Sequence, residues 1–330
     1  MGFSDLPIIE RSDVFLDIAF KKARDAARNH TLADYEKSAL NKEKTLSLVK
    51  LKAVRESLSK QLQLIIDKYP NFDNLHEFYA KLLRLTLDYK QLKKTLGSVN
   101  WLLGQVRDFT KSYNLKVKRA QDPATIKKLM NEYYGRISSV FKQVKKEFEY
   151  LHKARQVMRN YPLIKENMLT ICLAGFPNVG KSTLLSKLTP AKPEINEYAF
   201  TTKRLNLGYK SLNAIKIQFI DTPGTLNRPE KMNPVEIQAY LAMRYVANFI
   251  VYVFDLTEHT YSIKDQLKLL ERLKEYDKPL FAYISKQDLI TEGDIEQFKE
   301  KYFSNKKIPL HLDMEELTEE LLIVYKKELL

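Results

Sequence analysis

The chain has little glycine, almost no cysteine and no long uncharged apolar run. Only four of its nine glycines lie in the first 165 residues, which favours helices over turn-rich structure there. The single cysteine, Cys172, cannot form an internal disulfide, and this fits a reducing, cytoplasmic location. No apolar stretch reaches the roughly 18 residues of a membrane span, and the first residues show no secretory pattern. The five histidines have no metal-ligand spacing.

The positive charge lies almost entirely in the first half of the chain. Residues 1–165 hold 33 Lys+Arg and 18 Asp+Glu, a balance of +15, whereas residues 166–330 hold 22 and 23, a balance of −1. Phosphate backbones attract such a surface without sequence specificity, so an RNA partner is predicted for the first half. A solvated helix surface is the plainer alternative, and an anionic membrane ranks last. Four tyrosines lie among the basic residues and are candidates either for base stacking or for the core: Tyr113, Tyr133, Tyr134 and Tyr150.

The first half also shows helical periodicity. Apolar residues recur at threes and fours from Leu46 to Ile65, and this helix is expected to stop near Tyr69. A second helix is expected to begin after Asn71, and its pattern weakens at Gly97. Asp122 followed by proline is a helix-start signal, and the helix after it is expected to run toward Tyr161. The pattern predicts a bundle of four or five helices over residues 1–165.

The stretch "GFPNVGKST", Gly175 to Thr183, fits the phosphate-loop pattern G-x-x-x-x-G-K-S/T. It follows an apolar run typical of a buried strand and precedes a helical segment, which is the context the motif requires. The backbone N–H groups of such a loop, with the helix start, hold phosphate. Lys181 is expected to reach the terminal phosphates and the Ser182 hydroxyl to bind Mg²⁺. The predicted nucleotide-binding residues of the loop are Asn178, Val179, Gly180, Lys181, Ser182 and Thr183.

Two further segments match the parts of a GTPase that sense the γ-phosphate. The predicted strand from Ile215 ends in "DTPG", so Asp221 is placed to hold Mg²⁺ and the Gly224 backbone to contact the γ-phosphate. In the polar loop "YAFTTK", Thr201 and Thr202 are both candidates to reach Mg²⁺, and Thr202 is favoured. The alternative for this loop is a simple connection to the next strand.

The segment "SKQD", Ser285 to Asp288, indicates guanine as the base. Its carboxylate, Asp288, can accept hydrogen bonds from the ring N–H and amino group of guanine, a pair of donors that adenine lacks. GTPases commonly place Asn where this chain has Ser285, followed by a lysine, here Lys286. A hydroxyl is shorter and has one donor, so guanine recognition is expected to be kept but loosened by about 1 kcal/mol.

With these four elements in order, the chain resembles the Nog family of GTPases, the nucleolar GTP-binding protein 1 type within the Obg-like group. The resemblance rests on "GFPNVGKST", "YAFTTKRLNLGY", "DTPGTLNRPEKMNPVEIQA" and "VYVFDLTE", and on "FLDIAFKKARD" near the start. It implies a Ras-like P-loop domain with a mostly parallel sheet over residues 166–330, after the helical bundle. It also implies action on the large ribosomal subunit or its precursor. Because the resemblance stops where the eukaryotic members continue, the chain is expected to be similar to the short form found in archaea, without a long basic extension.

The sequence departs from the usual GTPase pattern at three places. Besides Ser285, the fifth motif lacks its Ser-Ala, since the segment 308–313 reads "IPLHLD". The position after Gly224 is Thr225 instead of Gln, so intrinsic hydrolysis is expected to be slow. Help is expected either from a residue of the ribosome or from K⁺, which Asn178 helps to bind in cation-activated GTPases with a similar loop. The alternative is that Asn178 serves only the backbone geometry of the loop.

These patterns predict a GTP-hydrolysing switch with GTP/GDP and Mg²⁺, and K⁺ as a further candidate, that acts in assembly of the large ribosomal subunit while the basic bundle docks on rRNA. Thr202, Gly224 and Asn178 are the predicted catalytic residues, and Ser182, Thr202 and Asp221 the predicted metal-binding residues. Neither a membrane nor DNA is expected as a partner. The alternative is a non-catalytic RNA-binding scaffold with a vestigial nucleotide site.

Overall fold

A computed structural model describes most of the chain, namely residues 3–31, 38–189, 205–212, 214–223, 233–259, 261–304 and 307–328. Its internal contacts divide the chain into two compact units. We call them the helical unit, Met1–Asn74 with Leu83–Tyr161, and the sheet unit, Leu75–Leu82 with Pro162–Leu330. The domain division expected from the sequence, with its boundary between residues 165 and 166, stays a prediction.

Residues 12–158 form six α-helices within the described chain. Their bounds are α1 Ser12–Arg28, α2 Ala39–Lys68, α3 Glu77–Thr86, α4 Tyr89–Arg119, α5 Pro123–Gln143 and α6 Lys145–Met158. The predicted stop of α2 before Tyr69 is confirmed. The predicted start of α5 is also confirmed, because the Asp122 carboxylate accepts a hydrogen bond from the Thr125 N–H at 2.8 Å with Pro123 at the first helical position.

Three details of the predicted bundle are wrong. The described residues 12–158 form six α-helices instead of four or five. Helix α4 does not weaken at Gly97 but continues through it, with a total length of 31 residues. A glycine inside a helix costs only about 1 kcal/mol relative to alanine. The burial of apolar residues such as Val99 and Val106 contributes more than this. The last helix is not continuous either. Its backbone leaves the α-helical region at Val144, with φ −97° and ψ 16°, and this residue separates α5 from α6.

Two of the four candidate tyrosines belong to the core, while Tyr134 and Tyr150 are half-buried. Tyr113 is 2% exposed and Tyr133 is fully buried, and the Tyr133 hydroxyl lies 2.9 Å from Thr110 Oγ1. The hydroxyl of Tyr150 donates to the Asp88 carbonyl at 2.9 Å. Base stacking by Tyr113 and Tyr133 is therefore excluded, whereas Trp101 on α4 is 43% exposed.

The sheet unit contains a six-stranded sheet of order β2-β3-β1-β4-β5-β6. All neighbours pair in parallel except β2 and β3, which are antiparallel. The strands are β1 Leu169–Ala174, β2 Asn206–Leu212, β3 Ile215–Asp221, β4 Phe249–Phe254, β5 Leu280–Ile284 and β6 Leu310–His311. The helices are α7 Lys181–Leu188, α8 Pro234–Tyr245, α9 Ile263–Leu273, α10 Glu292–Tyr302 and α11 Met314–Glu328. The predicted fold class, a helical region followed by a mostly parallel P-loop sheet, is confirmed.

Strands β1 and β4 are buried along their whole length, as expected for parallel strands covered on both faces. Cys172 in β1 is fully buried, which agrees with its reading as a small hydrophobic residue. The register places Leu173 of β1 opposite Asp221 of β3, so the carboxyl ends of these strands meet at one edge of the sheet. No helix within the described residues is long and apolar enough to cross a membrane.

Candidate nucleotide-binding site

The loop between β1 and α7 has the backbone shape of a phosphate-binding loop. Gly175 has a φ of +145°, and a Cβ there would lie 2.7 Å from the Val253 carbonyl oxygen, so only glycine fits. Gly180 has a φ of +94° directly before α7. Asn178 is also left-handed, with a φ of +63°. The loop therefore curls back on itself and ends at a helix N-terminus, where backbone N–H groups and the helix dipole favour an anion.

Lys181 is held inside this loop. Its side chain is only 6% exposed, and its ammonium group donates to the Phe176 carbonyl at 2.6 Å. Burial lowers the pKa of Lys181 to about 8, while the Asp221 carboxylate acts in the opposite direction. A phosphate group at the loop supplies the negative charge that this buried ammonium lacks.

The predicted metal-binding side chains Ser182 and Asp221 lie together. The Ser182 hydroxyl donates to Asp221 Oδ2 at 2.6 Å, and Asn206 Nδ2 donates to the same oxygen at 3.2 Å. The second oxygen of the carboxylate, Oδ1, is buried and has no hydrogen-bond partner among the described residues. A buried carboxylate oxygen without a donor is costly, and hard oxygen ligands of this kind suit Mg²⁺. The donor set therefore fits the predicted ion.

Ser285 lies between the fourth motif and the phosphate loop. It is 7% exposed, and its hydroxyl oxygen is 2.5 Å from the Val179 carbonyl oxygen and 2.8 Å from that of Phe254. A hydroxyl has one hydrogen for these two acceptors. Ser285 therefore connects the two loops, although less completely than a carboxamide with two hydrogens.

The neighbouring residues of the fourth motif are fixed by side chains that the sequence reasoning missed. Lys286 donates to Asp255 Oδ2 at 2.6 Å. Burial by itself raises the pKa of Asp255, but hydrogen bonds from Lys286 and Thr257 outweigh it and hold the pKa below its usual value. Gln266 is 1% exposed and brackets the Asp255 backbone, accepting from its N–H at 3.0 Å and donating to its carbonyl at 2.7 Å. The segment "VYVFDLTE", used above only for the resemblance, was the signal for Asp255.

The segment 308–313, where the fifth motif is expected, lies next to the fourth motif. Strand β6 pairs with β5, and Gln287 Nε2 donates to the Leu312 carbonyl at 2.6 Å and to that of Ile284 at 2.8 Å. A glutamine side chain thus joins the fourth motif to the segment where Ser-Ala is absent. The pattern "SKQD" contains this glutamine at the variable position, so motif matching alone gives no signal for it.

A cavity of about 410 Å³ unites the first and fourth motifs. Its lining consists of Asn178, Gly180, Lys181, Ser182, Thr183, Leu184, Lys187, Tyr283, Ser285, Lys286 and Asp288. Val179 contributes the carbonyl that faces Ser285. The predicted residues Thr202 and Gly224 lie outside the described residues, as does Thr225. Within the described chain, no group of three His, Cys, Asp or Glu side chains has the arrangement of a metal site.

Comparisons with known proteins match both parts of the chain. A family model described as the NOG1 N-terminal helical domain matches residues 3–165, and one described as a 50S ribosome-binding GTPase matches residues 170–286. An uncharacterized protein of Methanocaldococcus jannaschii is 35% identical, covering 88% of this chain and 82% of its own length. Nucleolar GTP-binding protein 1 of Drosophila melanogaster is 31% identical over 94% of this chain and 48% of its own length.

Among solved structures, Era of Aquifex aeolicus bound to GDP·AlF4⁻ is similar at 28% identity, with a TM-score of 0.36, over 46% of this chain and 55% of that one. The family models and the strand order, rather than this score, define the class: a P-loop GTPase that binds guanine nucleotide. More particularly, the chain belongs to the Nog family, the GTPases of the nucleolar GTP-binding protein 1 type. It spans about half the length of the eukaryotic relatives it matches.

The pKa of Lys181 predicts a pH-dependent affinity for nucleotide. Phosphate binding requires the charged ammonium of Lys181. At a pH above its pKa of about 8, the free protein must therefore take up a proton when it binds nucleotide. Affinity for GDP, measured by calorimetry, is therefore expected to fall about tenfold between pH 7 and pH 9. The control is Lys181→Arg, whose side chain stays charged over this range. Its GDP affinity is expected to change with pH only through the titration of guanine itself. An equal slope in both proteins would show that Lys181 is not the titrating group.

The geometry of Ser285 predicts that Ser285→Asn tightens GDP binding. An asparagine offers two hydrogens to the Val179 and Phe254 carbonyls in place of one, a gain of about 1 kcal/mol or roughly fivefold in affinity. Ser285→Ala removes both contacts and is expected to weaken binding. A weaker asparagine variant would instead mean that the larger side chain does not fit beside Gly180, whose added Cβ would lie 3.3 Å from Ser285 Cβ.

Proposed function

We propose that this chain is a slow GTP-hydrolysing switch in the assembly of the large ribosomal subunit, and that its helical unit docks on rRNA. The observation that carries the nucleotide part is the Ser182–Asp221 pair beside Lys181, with one buried Asp221 oxygen that lacks a partner among the described residues. The ribosomal part is supported by the family description, 50S ribosome-binding GTPase, and by relatives named nucleolar GTP-binding protein 1. In this proposal the chain works in the cytoplasm.

Mg²⁺ would be held by the Ser182 hydroxyl and, through water, by Asp221. When bound, the ion neutralises charge on the β- and γ-phosphates. The chain's own groups act around it. Lys181 leaves the Phe176 carbonyl and donates to the terminal phosphates, and the loop N–H groups fix their position. Asp288, exposed at the rim of the cavity, accepts the guanine N–H groups. Thr202 and Gly224 are the proposed γ-phosphate sensors.

Hydrolysis is proposed to be slow in the free protein, because Thr225 has no carboxamide to orient water. Asn178 is exposed and lines the nucleotide cavity, which supports the proposal that its side chain helps to hold K⁺ beside the phosphates. Its left-handed backbone is by itself a reason for asparagine at this position. The K⁺ role therefore requires a test that separates side-chain chemistry from loop shape.

Helix α4 is the proposed RNA-docking surface of the helical unit. It carries eight basic residues and one acidic residue, all exposed: Lys90, Lys93, Lys94, Arg107, Lys111, Lys116, Lys118, Arg119 and, as the acid, Asp108. Trp101, in the middle of this helix, is 43% exposed. By helical spacing, Trp101 shares one stripe with Lys94, Arg119 and the acidic Asp108. Basic side chains flanking an exposed aromatic ring suit the phosphates and an unstacked base of RNA.

The role of Asn178 is tested by GTP turnover in K⁺ and in Na⁺. Turnover of the wild type is expected to fall about tenfold when K⁺ is replaced, equivalent to ~1.4 kcal/mol in the barrier, and Asn178→Ala is expected to remove the difference. Asn178→Gly, which keeps the left-handed backbone, is the matched control for loop shape and behaves like the alanine variant if the amide oxygen is what matters.

The same assay separates the switch from a scaffold. Large ribosomal particles are added in a second series, since they are the other proposed source of catalytic help. Turnover that neither K⁺ nor particles accelerate contradicts the proposed mechanism, and no turnover under any condition favours the non-catalytic scaffold.

RNA docking by α4 is tested by tryptophan fluorescence, because Trp101 is the only tryptophan of the chain. Titration with large-subunit rRNA is expected to quench its emission, and Trp101→Ala is expected to weaken binding about tenfold, since base stacking contributes ~1–3 kcal/mol. Ile323→Ala, at an exposed apolar residue of the sheet unit, is the matched control. Binding without quenching, and equal affinity of the Trp101 variant, would place the RNA elsewhere.

A further inference from the structure

A second basic feature lies in the sheet unit, away from the phosphate loop. We call it the lysine pocket. It has a volume of about 610 Å³ and is lined by Lys165, Met168, Lys187, Leu188, Tyr209, Lys210, Ser211, Lys216 and Ile217. The phosphate loop follows the carboxyl end of β1, whereas Met168 and Lys216 lie where β1 and β3 begin. The lysine pocket therefore lies toward the opposite end of the sheet from the phosphate loop, and Lys187 of α7 lines both this pocket and the nucleotide cavity.

The lining of the lysine pocket contains four lysines and no Asp or Glu. Among the described residues, none of the four lysines lies within 4.0 Å of a carboxylate oxygen. The ammonium of Lys165 is 4.3 Å from the centre of the Tyr209 ring, a cation–π contact that places it over the pocket wall. This concentration of charge contrasts with the balance of −1 over residues 166–330.

Like charges gathered without counter-charges repel one another, and an anion relieves that repulsion. Lysine binds phosphate as a point charge, so several lysines around one opening suit closely spaced phosphates. The half-buried Met168 and Tyr209 also belong to the lining, and their apolar surfaces can cover the face of a sugar or base. This combination of flanking ammonium groups and apolar surfaces is suited to a nucleic acid strand.

We infer that the lysine pocket is a second RNA-binding site, which holds backbone phosphates of the same RNA class that the helical unit binds. This inference rests on the proposed function, because it takes RNA to be a partner of the chain. It also changes the expectation from sequence charge alone. The net charge of the sheet unit gives it no attraction for RNA, yet four of its lysines line one pocket.

The test uses the full chain with Lys165→Gln, Lys210→Gln and Lys216→Gln combined. Lys187 stays unchanged because it also lines the nucleotide cavity. Affinity for large-subunit rRNA is expected to fall at least about tenfold at 0.1 M salt, and the slope of log affinity against log salt to decrease by about 2, as three phosphate contacts are lost. A triple Lys→Arg variant at the same positions is expected to bind like the wild type.

The matched control removes three charges elsewhere on the sheet unit, at the exposed residues Lys307, Lys326 and Lys327, and is expected to keep both affinity and slope. If the control and pocket variants lost RNA affinity equally, net charge would explain the effect, and the proposed RNA-binding site would be overturned. Equal binding by the pocket variant and the wild type would overturn it as well.

A further arm distinguishes RNA from a free phosphate ligand. Inorganic phosphate and pyrophosphate are titrated by calorimetry into the wild type and the pocket variant, with the nucleotide cavity saturated by GDP. A pocket variant that loses pyrophosphate binding but keeps full RNA affinity would overturn RNA as the occupant. Failure of the proposed function is seen separately, since wild-type protein would then neither bind rRNA nor show quenching of Trp101.

Discussion

The parallel pairing of β1 with β3 is the constraint on which the nucleotide site depends. It places Leu173 opposite Asp221, so the loop that follows β1 and the carboxylate that ends β3 meet at one edge of the sheet. From that register follows the 2.6 Å hydrogen bond between Ser182 and Asp221. A shift of one residue in either strand would move the carboxylate to the other face of the sheet and separate it from the loop.

Around this edge, side-chain hydrogen bonds to backbone carbonyls and to one carboxylate hold the loops in place. Ser285 joins the fourth motif to Val179, Gln287 joins it to Leu312, and Lys286 is anchored on Asp255. Short polar contacts of this kind are strong when buried and costly when lost. They give the fourth motif a fixed position relative to the phosphate loop, and such preorganisation favours ligand affinity.

The chain separates two kinds of anion chemistry. The phosphate loop uses backbone N–H groups, a helix start and one buried lysine, Lys181, and is suited to the compact phosphates of a single nucleotide. In the proposed function, α4 and the lysine pocket instead bind an extended strand through exposed or half-buried lysines and the rings of Trp101 and Tyr209. Burial explains the difference, because a buried ammonium is specific for one geometry while exposed ones are not.

The sequence by itself determined what depends on local chemistry. The strand, glycine turn and helix around Lys181, the capped start of α5 at Asp122 and the strand that ends in Asp221 all follow from short patterns whose residues interact with near neighbours. The helix boundary at Val144 and the passage of α4 through Gly97 were not predicted, because propensity near a helix break is a weak signal that packing overrides.

Tertiary structure alone decided which distant residues meet. Ser285 bonds to a carbonyl 106 residues away, Tyr133 lies in the core while Trp101 is exposed, and the lysine pocket gathers side chains from residue 165 to residue 216. None of these contacts has a local pattern. Each depends on strand register and helix packing, which fix side-chain positions only when the whole core is assembled.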